Sequence, residues 1–193
     1  TEAIALRLAV ELGVSLSSTV VIPNSVDLTA FSSVRSLPDR PRRALFYNSY
    51  HRPGSQTFEA VRAAAIAGGL ELDCVGRPFG TRIERPGSVL PEYDLVFACG
   101  ISAIEALCSG CAVIVLGMTS CGDLVDASNF ARHRAANFAL PFNARPASPA
   151  SVGVEIARYD AGACADVARR ARSACDGETM LDLILEVYGA VIA

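Results

Sequence analysis

Two loops in the sequence combine residue types that could bind a phosphate group. The first, Asn48–Gly54 (NSYHRPG), joins an apolar run to a stretch with helical periodicity. Its hydroxyl, imidazole and guanidinium groups stand just before a predicted helix N-terminus, where backbone N–H groups and the helix dipole favour an anion such as a diphosphate. The candidate binding residues in this loop are Asn48, Ser49, His51, Arg52 and Gly54. An ordinary exposed loop is the alternative interpretation.

The second loop, Cys99–Glu105 (CGISAIE), follows an apolar run and leads into a short predicted helix. Ser102 and Glu105 have the spacing of a capping box, in which two side chains satisfy N–H groups at a helix start. Alternatively, Gly100 lets a phosphate approach the backbone, and the Glu105 carboxylate accepts hydrogen bonds from the adjacent hydroxyls of a ribose. Both interpretations stay open. The candidate binding residues here are Gly100, Ile101, Ser102 and Glu105.

A third candidate, Gly76-Arg77, follows another apolar run. Arg77 could contact a phosphate or a base edge, or it could simply be solvated. Neither GxGxxG nor GxxxxGK[ST] occurs in the chain, so the sequence predicts neither a dinucleotide fingerprint nor a P-loop.

The elements that must position these loops follow an alternation of strands and helices. Apolar runs predict strands at 19–22, 44–47, 70–75, 94–98 and 112–116, and helical periodicity predicts helices at 55–67 and 103–108. Apolar strands without alternation, joined by helices, are typical of a parallel sheet covered on both faces. The sequence therefore predicts one Rossmann-like α/β domain whose ligands bind at the carboxyl ends of the strands.

The two ends of the chain are predicted to be helical. Ile4, Leu8 and Leu12 mark a first helix, so we expect residues 1–17 to be a helix left from a preceding domain or linker, and residues 18–193 to form the Rossmann-like domain. Ser148-Pro149 is typical of a helix start, with an N-cap followed by proline at the first helical position. The final amphipathic helix is marked by Leu181, Leu185, Tyr188 and Ile192.

Composition excludes several other classes of function. The chain has 193 residues and a net charge of -3, which argues against nucleic acid as a partner because that needs a concentrated basic face. Its two arginine runs are expected on solvated faces: Arg40, Arg42 and Arg43, and Arg169, Arg170 and Arg172. The apolar span 95–118 contains Glu105 and three glycines, which favours buried strands and a short helix over a transmembrane segment.

The seven cysteines are expected to be free, mostly buried thiols of a reducing cytoplasm. Cys108 and Cys111 have CxxC spacing, but they follow a helix and open a strand, whereas a redox CxxC opens a helix. With only two histidines in the chain, we expect no metal site and no metal cofactor.

Several short motifs resemble the C-terminal, donor-binding domain of GT-B glycosyltransferases of the family-four-like group. Residues 22–27 (IPNSVD) resemble the family's I-P-N-G-V-D, and residues 46–54 stand where the family has F-x-G-R…K-G. The most specific match is 105–113 (EALCSGCAV), which is similar to E-A-M-A-x-G-x-P-V. The sequence departs from the family at Ser25, where glycine is usual, and at Ala98, where the first glutamate of a pair would stand.

The resemblance implies a domain that binds a nucleotide-diphospho-sugar as substrate and works with a missing N-terminal acceptor domain. It implies that Glu105 holds the donor ribose and that the helix start near Gly100 faces the diphosphate. Arg52, with Ser49 and His51, would stabilise the charge on the leaving diphosphate. The isolated chain is expected to bind nucleotide weakly and to transfer no sugar. We expect a cytoplasmic location, with peripheral membrane association in the full-length protein left open.

Two alternatives stay open on the same architecture. One is a non-catalytic nucleotide- or protein-binding module, which would agree with the departures from the family's pattern. The other is a nucleotide-sugar epimerase fragment, which should need more carboxylates and histidines near the cleft than the sequence offers.

Overall fold

A mostly parallel sheet between helices forms the centre of the protein. The computed structural model describes residues 1–32, 35–141 and 144–192. The strands are β1 (Arg43–Tyr47), β2 (Glu71–Val75), β3 (Leu95–Ala98), β4 (Ala112–Leu116) and β5 (Cys121–Leu124). The helices are α1 (Glu2–Leu12), α2 (Gln56–Ala67), α3 (Pro86–Val89), α4 (Gly100–Cys108), α5 (Phe130–Ala135), α6 (Pro149–Ala157), α7 (Ala161–Ala174) and α8 (Gly177–Ile192). The predicted α/β class is confirmed.

The sheet has the strand order β2-β1-β3-β4-β5. The pairs β1–β2, β1–β3 and β3–β4 are parallel, whereas β4–β5 is antiparallel. Only residues 117–120 separate β4 from β5, which is too short for a crossover, so the chain must return as a hairpin. The sequence did not predict this antiparallel edge.

Helices cover both faces of the sheet. Leu45, Val96 and Val113 face a core that includes residues of α4 and α7, and Phe46 and Phe97 face a second core that includes residues of α2 and α6. Every residue of β3 and β4 is buried. Burial on both faces is the reason that these strands read as continuous apolar runs without alternation.

The strand order reverses between β1 and β3. From β1 the chain crosses to β2 on one side, and it then returns to β3 on the other side of β1. The loops after β1 and β3 therefore diverge and leave a crevice at the carboxyl ends of these strands, which is the usual ligand position in open α/β sheets.

Two local predictions are wrong. Residues 19–22 form no strand, because their backbone pairs with no described strand; the one bridge nearby joins Val26 to Asp176. Ile66, predicted on the buried face of α2, is 65% exposed, whereas Phe58, Val61 and Ala65 are buried as expected.

The predicted terminal helices are present as α1 and α8, and Ser148 caps α6 with Pro149 at its first turn. The apolar residues that marked α1 and α8 are exposed rather than packed against the sheet, with Leu12 at 71% and Ile192 at 83%.

All seven cysteines are free. Burial raises the pKa of Cys108 and of Cys111 to about 12, so neither thiol of the CxxC segment ionises readily. Among the described residues, no group of three or more histidine, cysteine or carboxylate side chains could hold a metal ion. No helix in the described ranges is long and apolar enough to cross a bilayer.

Candidate functional site

The three loops singled out in the sequence lie together at the carboxyl edge of the sheet. The Asn48 N–H donates to the Val75 carbonyl at 3.0 Å, which joins the loop after β1 to the end of β2. The Asn48 side-chain amide lies 3.7 Å from the Cys99 thiol, which joins the same loop to the end of β3. Asn48 is therefore the residue that connects all three loops.

Gly76 permits this close approach. Its φ is +149°, and a Cβ added to it would lie 2.0 Å from the Asn48 carbonyl oxygen. No side chain fits at that distance, so glycine is required here for the loops after β1 and β2 to approach each other.

Helix α4 begins at Gly100 and not near Ala103 as predicted. Gly100 has a φ of +59°, and its N–H donates to the Phe138 carbonyl at 3.1 Å. Cys99 is the N-cap residue and makes no side-chain capping bond. The first N–H groups of a helix have no intrahelical acceptor, so those of Ile101 and Ser102 stay available to a ligand.

The predicted capping box is wrong, because Ser102 lies inside α4 and not at its N-cap. Glu105 bonds elsewhere: its carboxylate accepts a hydrogen bond of 2.9 Å from the Tyr47 hydroxyl. Burial raises the pKa of Glu105 above its ordinary value, and the bond from Tyr47 opposes part of that shift. Burial and the neighbouring carboxylate raise the pKa of Tyr47. Glu105 is thus a half-buried acceptor held by one neutral donor.

Glu105 lines a cleft of about 830 Å³ that we call the charged pocket. Its walls carry both carboxylates and guanidinium groups, and its lining includes Tyr47, Ser49, Gly76, Arg77, Arg82, Glu84 and Glu105. A ligand here would meet a carboxylate that accepts hydrogen bonds and arginines that donate them.

A second cleft of about 490 Å³, the neutral pocket, adjoins the first through Tyr47 and Ser49. It lies over the N-terminus of α4, and the described residues of its walls include no charged side chain. Its lining includes Asn48, His51, Gly100, Ile101, Ser102, Met118 and Leu140.

His51 is only 3% exposed and anchors the wall of the neutral pocket. Its Nε2 lies 3.0 Å from the Gly117 carbonyl oxygen and 3.2 Å from that of Met118, so this nitrogen carries the proton. Its Nδ1 is buried without a hydrogen-bond partner. Burial lowers the pKa of His51, which keeps the imidazole neutral.

Arg52 and Arg77 line a third cleft, the arginine pocket, together with Ser49 and Tyr50. Neither guanidinium forms an ion pair with a described residue. Arg52 and Glu105 thus line different pockets, but the two pockets share Ser49 and Arg77. Gly54 has a φ of +81° in the turn before α2 and contributes backbone conformation only.

Sequence reasoning missed several lining residues, among them Tyr47, Arg82, Glu84, Met118 and Leu140. Tyr47 could have been found, because it is the last residue of β1 and so stands at the edge where ligands bind. The others come from loops whose path nothing in the sequence indicates.

No family model matches the chain, and no curated protein is significantly similar to it. The chemistry of the site itself therefore carries the functional conclusion. A carboxylate acceptor, free guanidinium groups and uncapped helix amides border one another, and this combination suits a ligand with both hydroxyls and phosphates.

Proposed function

We propose that this chain binds the nucleotide-diphospho-sugar donor of a glycosyltransferase in the three pockets around Ser49. The observation that carries the proposal is the position of Glu105, a half-buried carboxylate on the helix whose Ile101 and Ser102 amides receive no side-chain cap. Glu105 stands five positions after Gly100, which corresponds to about 7.5 Å along the helix axis. A nucleoside diphosphate places its ribose hydroxyls and its phosphates at a comparable separation.

The charges of the lining residues support one position for the ribose and another for the diphosphate. A carboxylate offers acceptors to two adjacent ribose hydroxyls, so Glu105 would hold the ribose in the charged pocket. The amides of Ile101 and Ser102 would bind the diphosphate at the start of α4. Arg77 lines both the charged and the arginine pockets, and with Arg52 it would offset the negative charge that grows on the diphosphate as the sugar leaves.

The motif resemblance supports the same roles independently of the pocket geometry. Residues 105–113 are similar to the family's segment E-A-M-A-x-G-x-P-V, whose first residue holds the donor ribose in the family. The acceptor site would lie on a separate domain, so the isolated chain is expected to bind the donor without transferring sugar.

The test is a titration of the chain with UDP, GDP, ADP and CMP, followed by thermal melting and by calorimetry. A ligand present at 100 times its dissociation constant stabilises the folded state by about 2.7 kcal/mol, which a melting curve detects. We expect one nucleoside diphosphate to stabilise the chain. If none of the four gives a response at millimolar concentration, the chain is a non-catalytic module and the proposal fails.

Arginine variants test the diphosphate assignment. Arg77→Ala should weaken the diphosphate more than it weakens the corresponding nucleoside, because only the former loses a charge-assisted hydrogen bond. Arg40→Ala is the matched control, since Arg40 is exposed in the loop before β1, at the opposite edge of the sheet. Equal losses in the two variants would show that the contribution is general electrostatics and not a site.

A further inference from the structure

The two larger pockets differ in charge. The charged pocket holds Arg77, Arg82, Glu84 and Glu105, whereas no carboxylate or arginine is found among the described residues that line the neutral pocket. A ligand that spans both would therefore place a strongly polar part in the charged pocket, its phosphates on the amides at the start of α4, and an uncharged part against the remaining wall of the neutral pocket.

Most polar groups in the neutral pocket are already engaged. The Asn48 carbonyl oxygen accepts from the Tyr50 N–H at 2.8 Å and from the His51 N–H at 3.3 Å, and its amide nitrogen faces the Cys99 thiol. His51 Nε2 hydrogen-bonds to two backbone carbonyls, and its Nδ1 is buried without a hydrogen-bond partner. The hydroxyls of Ser49, Tyr50 and Ser102 and the amides at the start of α4 stay free for a ligand.

Part of the wall is apolar and accessible. Met118 is 61% exposed and Ile101 is 43% exposed, and both line the neutral pocket together with Leu140. A hydroxyl placed against these side chains finds no hydrogen-bond partner among them, whereas a methyl group is favoured there because it buries apolar surface.

We infer that the sugar carried by the donor is an uncharged 6-deoxyhexose, whose methyl group lies against Met118 and Leu140. The inference rests on the proposed function, because the diphosphate at the start of α4 directs the attached sugar into the neutral pocket. The C6 substituent projects furthest from a hexose ring, so it is the group that meets the wall first. A carboxylate at C6, as in a uronic acid, would have no partner among the described lining residues.

The test compares donors that differ by one oxygen atom. Calorimetry with the full chain would use UDP-glucose against UDP-6-deoxyglucose, GDP-mannose against GDP-6-deoxymannose, and ADP-glucose against ADP-6-deoxyglucose, with each free diphosphate alongside. For the base that binds, we expect the deoxy sugar donor to bind about tenfold more tightly than its parent, the ratio that about 1.4 kcal/mol produces. UDP-glucuronic acid should bind more weakly than UDP.

Met118→Gln supplies a variant test, because it keeps an unbranched side chain of similar length and adds an amide. Met118 is exposed, so the fold should tolerate the change, and the preference for the deoxy donor should shrink or reverse. Val154→Gln on α6, where Val154 is 56% exposed outside the pockets, is the matched control and should keep the wild-type preference.

The outcomes separate the two proposals. A free diphosphate that binds while the parent hexose donor binds as tightly as the deoxy donor, or more tightly, overturns the sugar assignment alone. An unchanged preference in Met118→Gln also overturns it. If no nucleotide binds at all, both proposals fail.

Discussion

Glu105→Gln separates ligand binding from stability, because the proposed ribose contact and the folded state make opposite demands on this side chain. Glutamine keeps the size of the side chain and an oxygen that can accept from the Tyr47 hydroxyl, which lies 2.9 Å away. It removes only the charge. The variant therefore changes the acceptor strength of the site without opening a cavity.

The expected loss of affinity follows from the hydrogen bonds to the carboxylate. Hydrogen bonds to a charged group contribute about 1.5–3 kcal/mol, so Glu105→Gln should weaken the nucleoside diphosphate about tenfold to a hundredfold. Calorimetric titration measures this ratio directly. Glu71→Gln is the matched control, since Glu71 is exposed at the opposite end of its strand, and its affinity should equal that of the wild type.

The expected change in stability has the opposite sign. Burial raises the pKa of Glu105, so the folded state holds the proton more tightly than the unfolded state does. The stabilising contribution of this group is complete below the ordinary pKa and is lost as the pH rises through the raised value. At pH 7.5 the ionised carboxylate therefore opposes folding, and the glutamine variant should melt at a higher temperature than the wild type, with a difference that shrinks towards pH 4.5. A variant that binds as tightly as the wild type, or that melts at a lower temperature at pH 7.5 without ligand, would refute this reasoning.

Three further predictions concern stability, each measured as the free energy of unfolding in urea. Gly76→Ala should destabilise the protein by about 3 kcal/mol or more, because the added methyl group would clash with the Asn48 carbonyl. The control is Gly69→Ala, which should cost only about 1–2 kcal/mol, because Gly69 has a φ of +71° but open space around it. Similar losses in the two variants would contradict the close approach of Gly76 to Asn48. Asp94→Asn should destabilise by about 2–3 kcal/mol, because the buried carboxylate accepts from two backbone amides at 2.7 and 2.9 Å, and a loss below 1 kcal/mol would contradict that role. Burial lowers the pKa of His133, so the unfolded state takes up the proton first and the free energy of unfolding falls as the pH drops below about 6.5. His133→Gln should reduce this fall between pH 7.5 and 5.5. If the free energy of unfolding depends on pH in the variant as it does in the wild type, His133 is not the cause of the fall.

The sequence predicted β1, β2, β3 and β4 close to their observed bounds, and of these β1, β3 and β4 are buried on both faces. Residues 44–47, 94–98 and 112–116 read as apolar runs because helices cover them on each side. Residues 19–22 (TVVI) are all β-branched, yet no strand of the described part of the chain lies beside them to pair with. Local composition therefore indicates a tendency to form a strand, and the neighbouring strands in the fold determine whether the strand forms. β5 was missed for the converse reason: its sequence, CGDL, has little strand character, and the tight return from β4 creates it.

The candidate site was predictable where it depends on strand ends. Asn48, Arg77 and Glu105 follow three neighbouring strands, and the rule for ligands at the carboxyl edge brings them together. The start of α4 was misplaced because it depends on the Phe138 carbonyl, which lies far along the chain and has no local sequence signal. Met118 and Leu140 were not predicted as lining residues for the same reason, because no local sequence signal places them at the cleft.

The hydrogen bond between Phe138 and Gly100 also links recognition to the completion of folding. Phe138 and Asn137 both adopt positive φ without being glycine, at 54° and 50°, so this turn is held by its surroundings and not by its own preference. A chain in which this turn has not docked would lack part of the neutral pocket, and its apparent affinity would fall in proportion to the docked fraction. Nucleotide affinity would then report on whether this turn is docked, which makes ligand titration a sensor of local folding as well as of recognition.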